Sequence, residues 1–178
     1  GYIIVGTGNF AGAGGDIFLL KTDANGDTLW TRFIGGSSVD HGNSVAPTSD
    51  GGYIIAGSTV SFGAGASDAY LVKTDAEGNV SWSKTYGTIS NDEAYGVVQT
   101  ADGGYVFSGV EKQSGLNGYT HLVKVDATGN VLWSKTFGNS TRKNFAYTLL
   151  QTPDHGFVIG GWENLNTGIN DDMCLIKT

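Results

Sequence analysis

Asp50-Gly51-Gly52-Tyr53-Ile54-Ile55-Ala56-Gly57 decides the fold, because its apolar half returns along the whole chain. The counterparts are Tyr2-Ile3-Ile4-Val5-Gly6, Tyr105-Val106-Phe107-Ser108-Gly109 and Phe157-Val158-Ile159-Gly160-Gly161, about 51–52 residues apart. Agreement continues downstream. Leu20-Lys21-Thr22-Asp23 recurs as Val72-Lys73-Thr74-Asp75, Val123-Lys124-Val125-Asp126 and Ile176-Lys177-Thr178, and Trp30, Trp82 and Trp133 follow in phase. A fixed period of this length is the signature of a repeat architecture.

Each unit reads as four strands, A to D. Strand A is typified by Tyr95 to Thr100, B by Tyr105 to Gly109, C by Ala69 to Thr74 and D by Val80 to Tyr86. Asp-Gly turns separate A from B and C from D, since Asp bonds its own backbone and Gly accepts the positive φ of a bulged hairpin. No amphipathic helical period is present. The B strands are continuous apolar runs, which means burial on both faces. A sheet held between two neighbouring sheets meets that demand, and a two-layer sandwich does not. The reading is an all-β chain, a β-propeller of four-stranded blades with about 3.5 blades present. Repeats start near residues 1, 52, 104 and 156. The strand order is B-C-D, A-B-C-D, A-B-C-D, A-B-C, so a piece of a longer propeller is expected. Missing blades of the same chain, or a second copy, would close the ring.

Bulk composition narrows the function. Gly accounts for 29 of 178 residues without a collagen period, as many tight turns require. The net charge of −7 disfavours nucleic acid as a partner. Cys174 is the single cysteine, which excludes an intrachain disulfide framework and a cysteine-based zinc cluster. No apolar run is long enough for a membrane span.

The phrases Asp50 to Gly57, Asp68-Ala69-Tyr70-Leu71-Val72-Lys73-Thr74-Asp75 and Gly78-Asn79-Val80-Ser81-Trp82-Ser83-Lys84-Thr85-Tyr86-Gly87 resemble the β-propeller repeats of secreted and cell-surface proteins of bacteria and archaea. They are distantly similar to quinoprotein blades, through the Asp-x-x-Gly turn followed by Trp. The resemblance implies an extracellular or cell-surface setting and a role as scaffold or protein-interaction module. Quinoprotein enzymes also carry paired cysteines, which a chain with one Cys lacks.

Motifs that could carry chemistry are sparse. Gly6-x-Gly8-x-x-Ala11 follows a strand, but more Gly and another strand come next instead of the helix a dinucleotide site needs. Asp23-x-Asn25-x-Asp27 spaces oxygens as calcium loops do, yet Asp75-x-Glu77-x-Asn79 and Asp126-x-Thr128-x-Asn130 lose ligands, so a turn is the better reading and Ca2+ the lesser one. Asp40, Asp92 and Asn144 share one repeat position, and Asp16, Asp68 and Asp172 another, where the third repeat has Tyr119. Repetition marks a structural task, acceptance of backbone N–H bonds. A ring of such acids could also bind a cation. Trp30, Trp82 and Trp133 read as packing between blades. His41, His121 and His155 fall at unrelated positions, and no nucleophile–His–acid set can be nominated, so the chain reads as non-enzymatic. Asn79-Val80-Ser81 and Asn139-Ser140-Thr141 match glycosylation sequons.

The A–B and C–D turns are nearly identical among repeats, whereas the B–C and D–A loops vary. The variable end is therefore the expected binding face. Trp162 stands out there, since its counterparts are Thr7, Ser58 and Val110; Tyr95, Tyr119, Arg142 and Phe145 are further candidates. The expected partner is a protein or a glycan, with lectin-like carbohydrate binding as the alternative; a non-catalytic or catalytic part of a quinoprotein-like enzyme is the further alternative, on fold analogy alone.

Overall fold

Apolar runs bounded by Asp- and Gly-rich turns become strands throughout. The computed structural model describes residues 1–9, 14–112, 118–138, 142–165 and 171–178. The strands are β1 (Ile3–Gly8), β2 (Asp16–Thr22), β3 (Thr28–Ile34), β4 (Asp40–Pro47), β5 (Tyr53–Thr59), β6 (Asp68–Thr74), β7 (Val80–Tyr86), β8 (Asp92–Gln99), β9 (Tyr105–Lys112), β10 (Gly118–Val125), β11 (Val131–Phe137), β12 (Arg142–Gln151), β13 (Phe157–Leu165) and β14 (Asp171–Lys177). Consecutive strands pair antiparallel in four sheets: β1–β3, β4–β7, β8–β11 and β12–β14. Among the described residues there is no helix, and hence none long and apolar enough to cross a membrane.

Both hairpin turns are built by one Asp each. In the C–D turn of the second sheet, Asp75 Oδ1 accepts the N–H groups of Glu77 and Asn79 at 3.0 and 2.8 Å. Gly78 then takes a φ of +79°, and the ladder slips by one residue between Lys73 and Thr74. The first and third sheets repeat this slip at Lys21/Thr22 and Lys124/Val125.

The sheets pack face on face in chain order. Ile17 and Leu19 of the first meet Ile55, Tyr70 and Val72 of the second. Ile54, Ala56, Ala69 and Leu71 on the other face of the second meet Ala94, Val97, Phe107 and Val123 of the third. Val106 and Leu122 of the third meet Ala146, Leu149, Phe157 and Ile159 of the fourth. All seven residues of β5 and of β6 are buried, as strands covered on both faces must be. Each aliphatic side chain buried in this way contributes about 1.5–3 kcal/mol. Trp30, Trp82 and Trp133 seal the same joints. Their rings lie 6.1, 5.9 and 6.3 Å from those of Tyr53, Tyr105 and Phe157, the first residue of the next sheet's second strand.

The strand bounds differ from the sequence reading in one informative way. The A strand of the third sheet begins at Asp92, three residues before Tyr95, because the ladder continues across a β-bulge. The register steps over Asn43, Tyr95 and Tyr147, the same place in β4, β8 and β12. The bulge drives the preceding carbonyl against the facing strand. A Cβ on Gly57, Gly109 or Gly161 would stand 1.8, 2.0 or 1.7 Å from the carbonyl oxygen of His41, Glu93 or Phe145. Only glycine fits there.

Candidate recognition surface

A bulge leaves one residue outside the ladder and re-aims its side chain. Asn43, Tyr95 and Tyr147 are those residues, each near the end of its sheet that carries the variable loops. Each links neighbouring structure. Asn43 Nδ2 donates to the carbonyl of Ala94, joining the second sheet to the third at 2.9 Å. The Tyr95 and Tyr147 rings, from the third and fourth sheets, meet edge to face at 5.0 Å. Tyr147 stacks at 6.2 Å on Phe145, which stacks at 4.6 Å on Trp162, its cross-strand partner on β13. Trp162 Nε1 donates to the Tyr147 hydroxyl at 3.1 Å. Four aromatic rings thus form one contiguous cluster, and Tyr147 is half exposed.

Beside Tyr95 a groove of about 470 Å3 opens between the second and third sheets, lined by His41, Asn43, Ser58, Ser67, Glu93 and Tyr95 among others. Tyr95 donates its hydroxyl to Glu93 Oε2. Burial, with that carboxylate beside it, pushes the Tyr95 phenol well above its ordinary value, so it stays a neutral donor. His41 Nδ1 and Thr7 Oγ1 lie 3.1 Å apart at the far side. The surface combines flat apolar rings with hydroxyl, amide, imidazole and carboxylate groups. Such a set can bind a ligand by stacking and hydrogen bonding.

The structure thus brings together Tyr95, Phe145 and Trp162. Tyr119 stands two strands away from β8, on β10 opposite Glu111, and the side chain of Arg142 lies outside the described residues, as does the sequon at Asn139. Tyr147 was missed by the sequence reading, although it occupies the repeat position of Tyr95.

The repeated acids hold loops. Asp40 Oδ2 accepts the Gly36 N–H at 2.8 Å and the Ser61 hydroxyl at 2.7 Å; Asp92 Oδ2 accepts the Thr88 N–H at 2.6 Å; Asp68 Oδ2 accepts the Gly65 N–H at 3.0 Å. Asn144 is buried at the equivalent of Asp92, with its side chain against Gly138. Asp16 is buried too, and the Oδ1 atoms of Asp16 and Asp40 have no hydrogen-bond partner, whereas Asp172 on β14 is exposed. Asp23, Asp75 and Asp126 each direct Oδ1 at two backbone N–H groups of their own turn. The Asn130 N–H, with the Thr128 hydroxyl next, draws the Asp126 carboxyl down to about 2. His121 lies 3.6 Å from Glu111 Oε2, yet burial lowers its basicity. Cys174 is half-buried, and burial raises its thiol. Among the described residues no three His, Cys, Asp or Glu side chains gather as a metal site.

No family model matches the chain. It is similar to the regulatory protein FlaEY of Caulobacter vibrioides, 25% identical over 175 residues that include 84% of this chain. The chain spans only 18% of that protein's length. Among solved structures, it is similar to a crystal structure of a protein of unknown function from Dyadobacter fermentans, with a TM-score of 0.58 and 14% identity. That match covers 96% of this chain and 57% of the other. The likeness extends over all four sheets and concerns the fold.

Proposed function

We propose that the four sheets are blades of a β-propeller, and that the chain is a non-enzymatic extracellular module that recognises a protein through the bulged ends of its first strands. The blade reading is supported by the identical way each sheet covers the next, and by contacts between successive first strands, β4 with β8 and β8 with β12. The extracellular setting is supported by the repeat resemblance. Match to a short part of a much longer regulatory protein fits a module carried within a larger architecture.

The observation that carries recognition is the cluster of Tyr95, Tyr147, Phe145 and Trp162. Tyr and Trp anchors of this kind dominate binding energy at interfaces. Affinity capture from cell-envelope protein, with wild-type and Trp162→Ala chains as paired baits, tests it. A protein retained by the wild type and lost by the variant is expected. Equal retention by both baits would overturn the reading.

A second reading, carbohydrate binding, is favoured by the half-exposed Tyr147 ring together with the polar groove between His41 and Glu93. A glycan array probed with wild-type and Tyr147→Ala chains separates the two. Glycan binding abolished by the substitution selects the second reading, and a blank array selects the first.

A further inference from the structure

We propose that Asp16 and Asp40 hold a calcium ion in the joint between the first and second sheets. The two side chains stand at the starts of β2 and β4. The backbone sets them together, since the Asp40 N–H donates to the Gly15 carbonyl at 2.7 Å. Both acids are buried, Asp16 being 8% and Asp40 0% exposed. They converge on Gly35, where a Cβ would stand 2.2 Å from Asp16 Oδ1 and 2.6 Å from Asp40 Oδ2. Asp40 Oδ2 accepts the Gly36 N–H and the Ser61 hydroxyl. The Oδ1 atoms of both acids are buried with no hydrogen-bond partner among the described residues. Like charges taken out of water repel, and each unpaired acceptor adds the cost of its lost hydration. A cation held between the two carboxylates offsets both.

The chain carries its own comparison. The second joint repeats the pair as Asp68 and Asp92, with the Asp92 N–H on the Ser67 carbonyl at 2.8 Å. No carboxylate oxygen of that pair is left buried without a partner, so the unmet demand belongs to the first joint. At the third joint both acids are replaced, by Tyr119 in the place of Asp68 and by Asn144 in that of Asp92. The two positions thus change charge together, as partners of one counter-charge must. The donors at the first joint are all oxygen, two carboxylates with the Ser61 hydroxyl and the Gly15 carbonyl bonded to Asp40. Such donors suit a hard cation, and calcium accepts an irregular shell completed by water where magnesium demands a near-ideal octahedron. Gly35 is exposed, so the pair lies just beneath the surface, where an ion can enter. No third His, Cys, Asp or Glu joins the pair among the described residues, which sets the affinity in the weak range, a Kd of about 0.1–1 mM. The proposal holds whatever the bulged ends bind.

Thermal melts of the 178-residue chain in EDTA, in CaCl2 and in MgCl2 test it. At about 5 mM, calcium is expected to raise the melting temperature by about 2–4 °C, and magnesium by less than half as much. Asp16→Asn removes one of the facing charges and keeps the shape. In EDTA this variant should melt above the wild type, and calcium should no longer shift it. Asp68→Asn, at the second joint, should keep the whole calcium shift. A wild-type melt that calcium leaves unmoved, or a shift retained by Asp16→Asn and lost in Asp68→Asn, would overturn the proposal. So would an equal shift from magnesium, which marks general screening of the net charge of −7. Should Asp16→Asn not fold, Asp40→Asn takes its place, with Asn144 as the precedent at that repeat position. Calorimetric titration with CaCl2 is the second readout. One ion per wild-type chain and none in the variant are expected, and no binding by the wild type at about 10 mM calcium would count against the site.

Discussion

Lys73 Nζ stands 2.8 Å from Asp50 Oδ2 and donates to the carbonyl of Thr74 at 2.7 Å, so a buried strand-C lysine holds the A–B turn of its own sheet. Lys124 with Asp102, at 2.6 Å, and Lys177 with Asp154, at 3.0 Å, repeat the arrangement. The lysine, a Thr hydroxyl and a Gly N–H together hold Asp50 and Asp102 well below their ordinary value of 3.8. For Asp154 the Thr152 hydroxyl acts first and Lys177 second.

These lowered carboxyls make the fold acid-sensitive. A group with a depressed folded-state value stabilises the fold fully above its unfolded value and loses that contribution as pH falls towards the folded one. Thermal melts should therefore change little from pH 7 to 5 and drop steeply below about pH 4. Lys73→Met should cost about 1 kcal/mol at neutral pH, since the exposed Asp50 regains water, and should flatten the acid limb. An unchanged acid limb in the variant would argue against the ion pair as its origin.

The bulge makes a sharper mutational prediction. Gly109→Ala would drive a Cβ to 2.0 Å from the Glu93 carbonyl oxygen, and the strand must shift. A loss of about 3 kcal/mol is expected in urea denaturation. A cost under about 1 kcal/mol would contradict the close approach.

His155 has a φ of +63°, where the equivalent Gly51 and Gly103 have +85° and +83°. A side chain in that conformation is strained. His155→Gly should raise stability by about 0.5–1 kcal/mol, the relief of strain being offset in part by the greater freedom of unfolded Gly. A lower melting temperature in the variant would show that the imidazole makes a compensating contact.

Ser108 is wholly buried with no partner for its hydroxyl, at the position occupied by Ala56 in the second sheet. Ser108→Ala removes an unsatisfied polar group from a joint between sheets. It should stabilise the chain by about 1 kcal/mol, measured by denaturant midpoint.

The sheets were legible in the sequence because a fixed period and apolar B strands leave little choice of packing. Phases of Trp30, Trp82 and Trp133 located the joints, and the rings of Tyr53, Tyr105 and Phe157 meet them there. The bulge was not legible, since one unpaired residue inside a polar-flanked strand leaves the apolar pattern unchanged. That omission hid Tyr147, which looked like an ordinary strand residue. Lys73 was visible only as a repeated letter, because its partner Asp50 lies 23 residues upstream and only the hairpin brings them together.

A residue excluded from the ladder carries no pairing duty, so its chemistry is free to drift while the backbone around it stays fixed. Asn43, Tyr95 and Tyr147 already show that latitude at one geometric position. The second, third and fourth sheets thus each offer one interchangeable letter, set at the same register position of their first strands. New specificities could arise by rewriting those letters alone, or by duplicating a sheet and lengthening the row, without reopening the problem of how the chain folds.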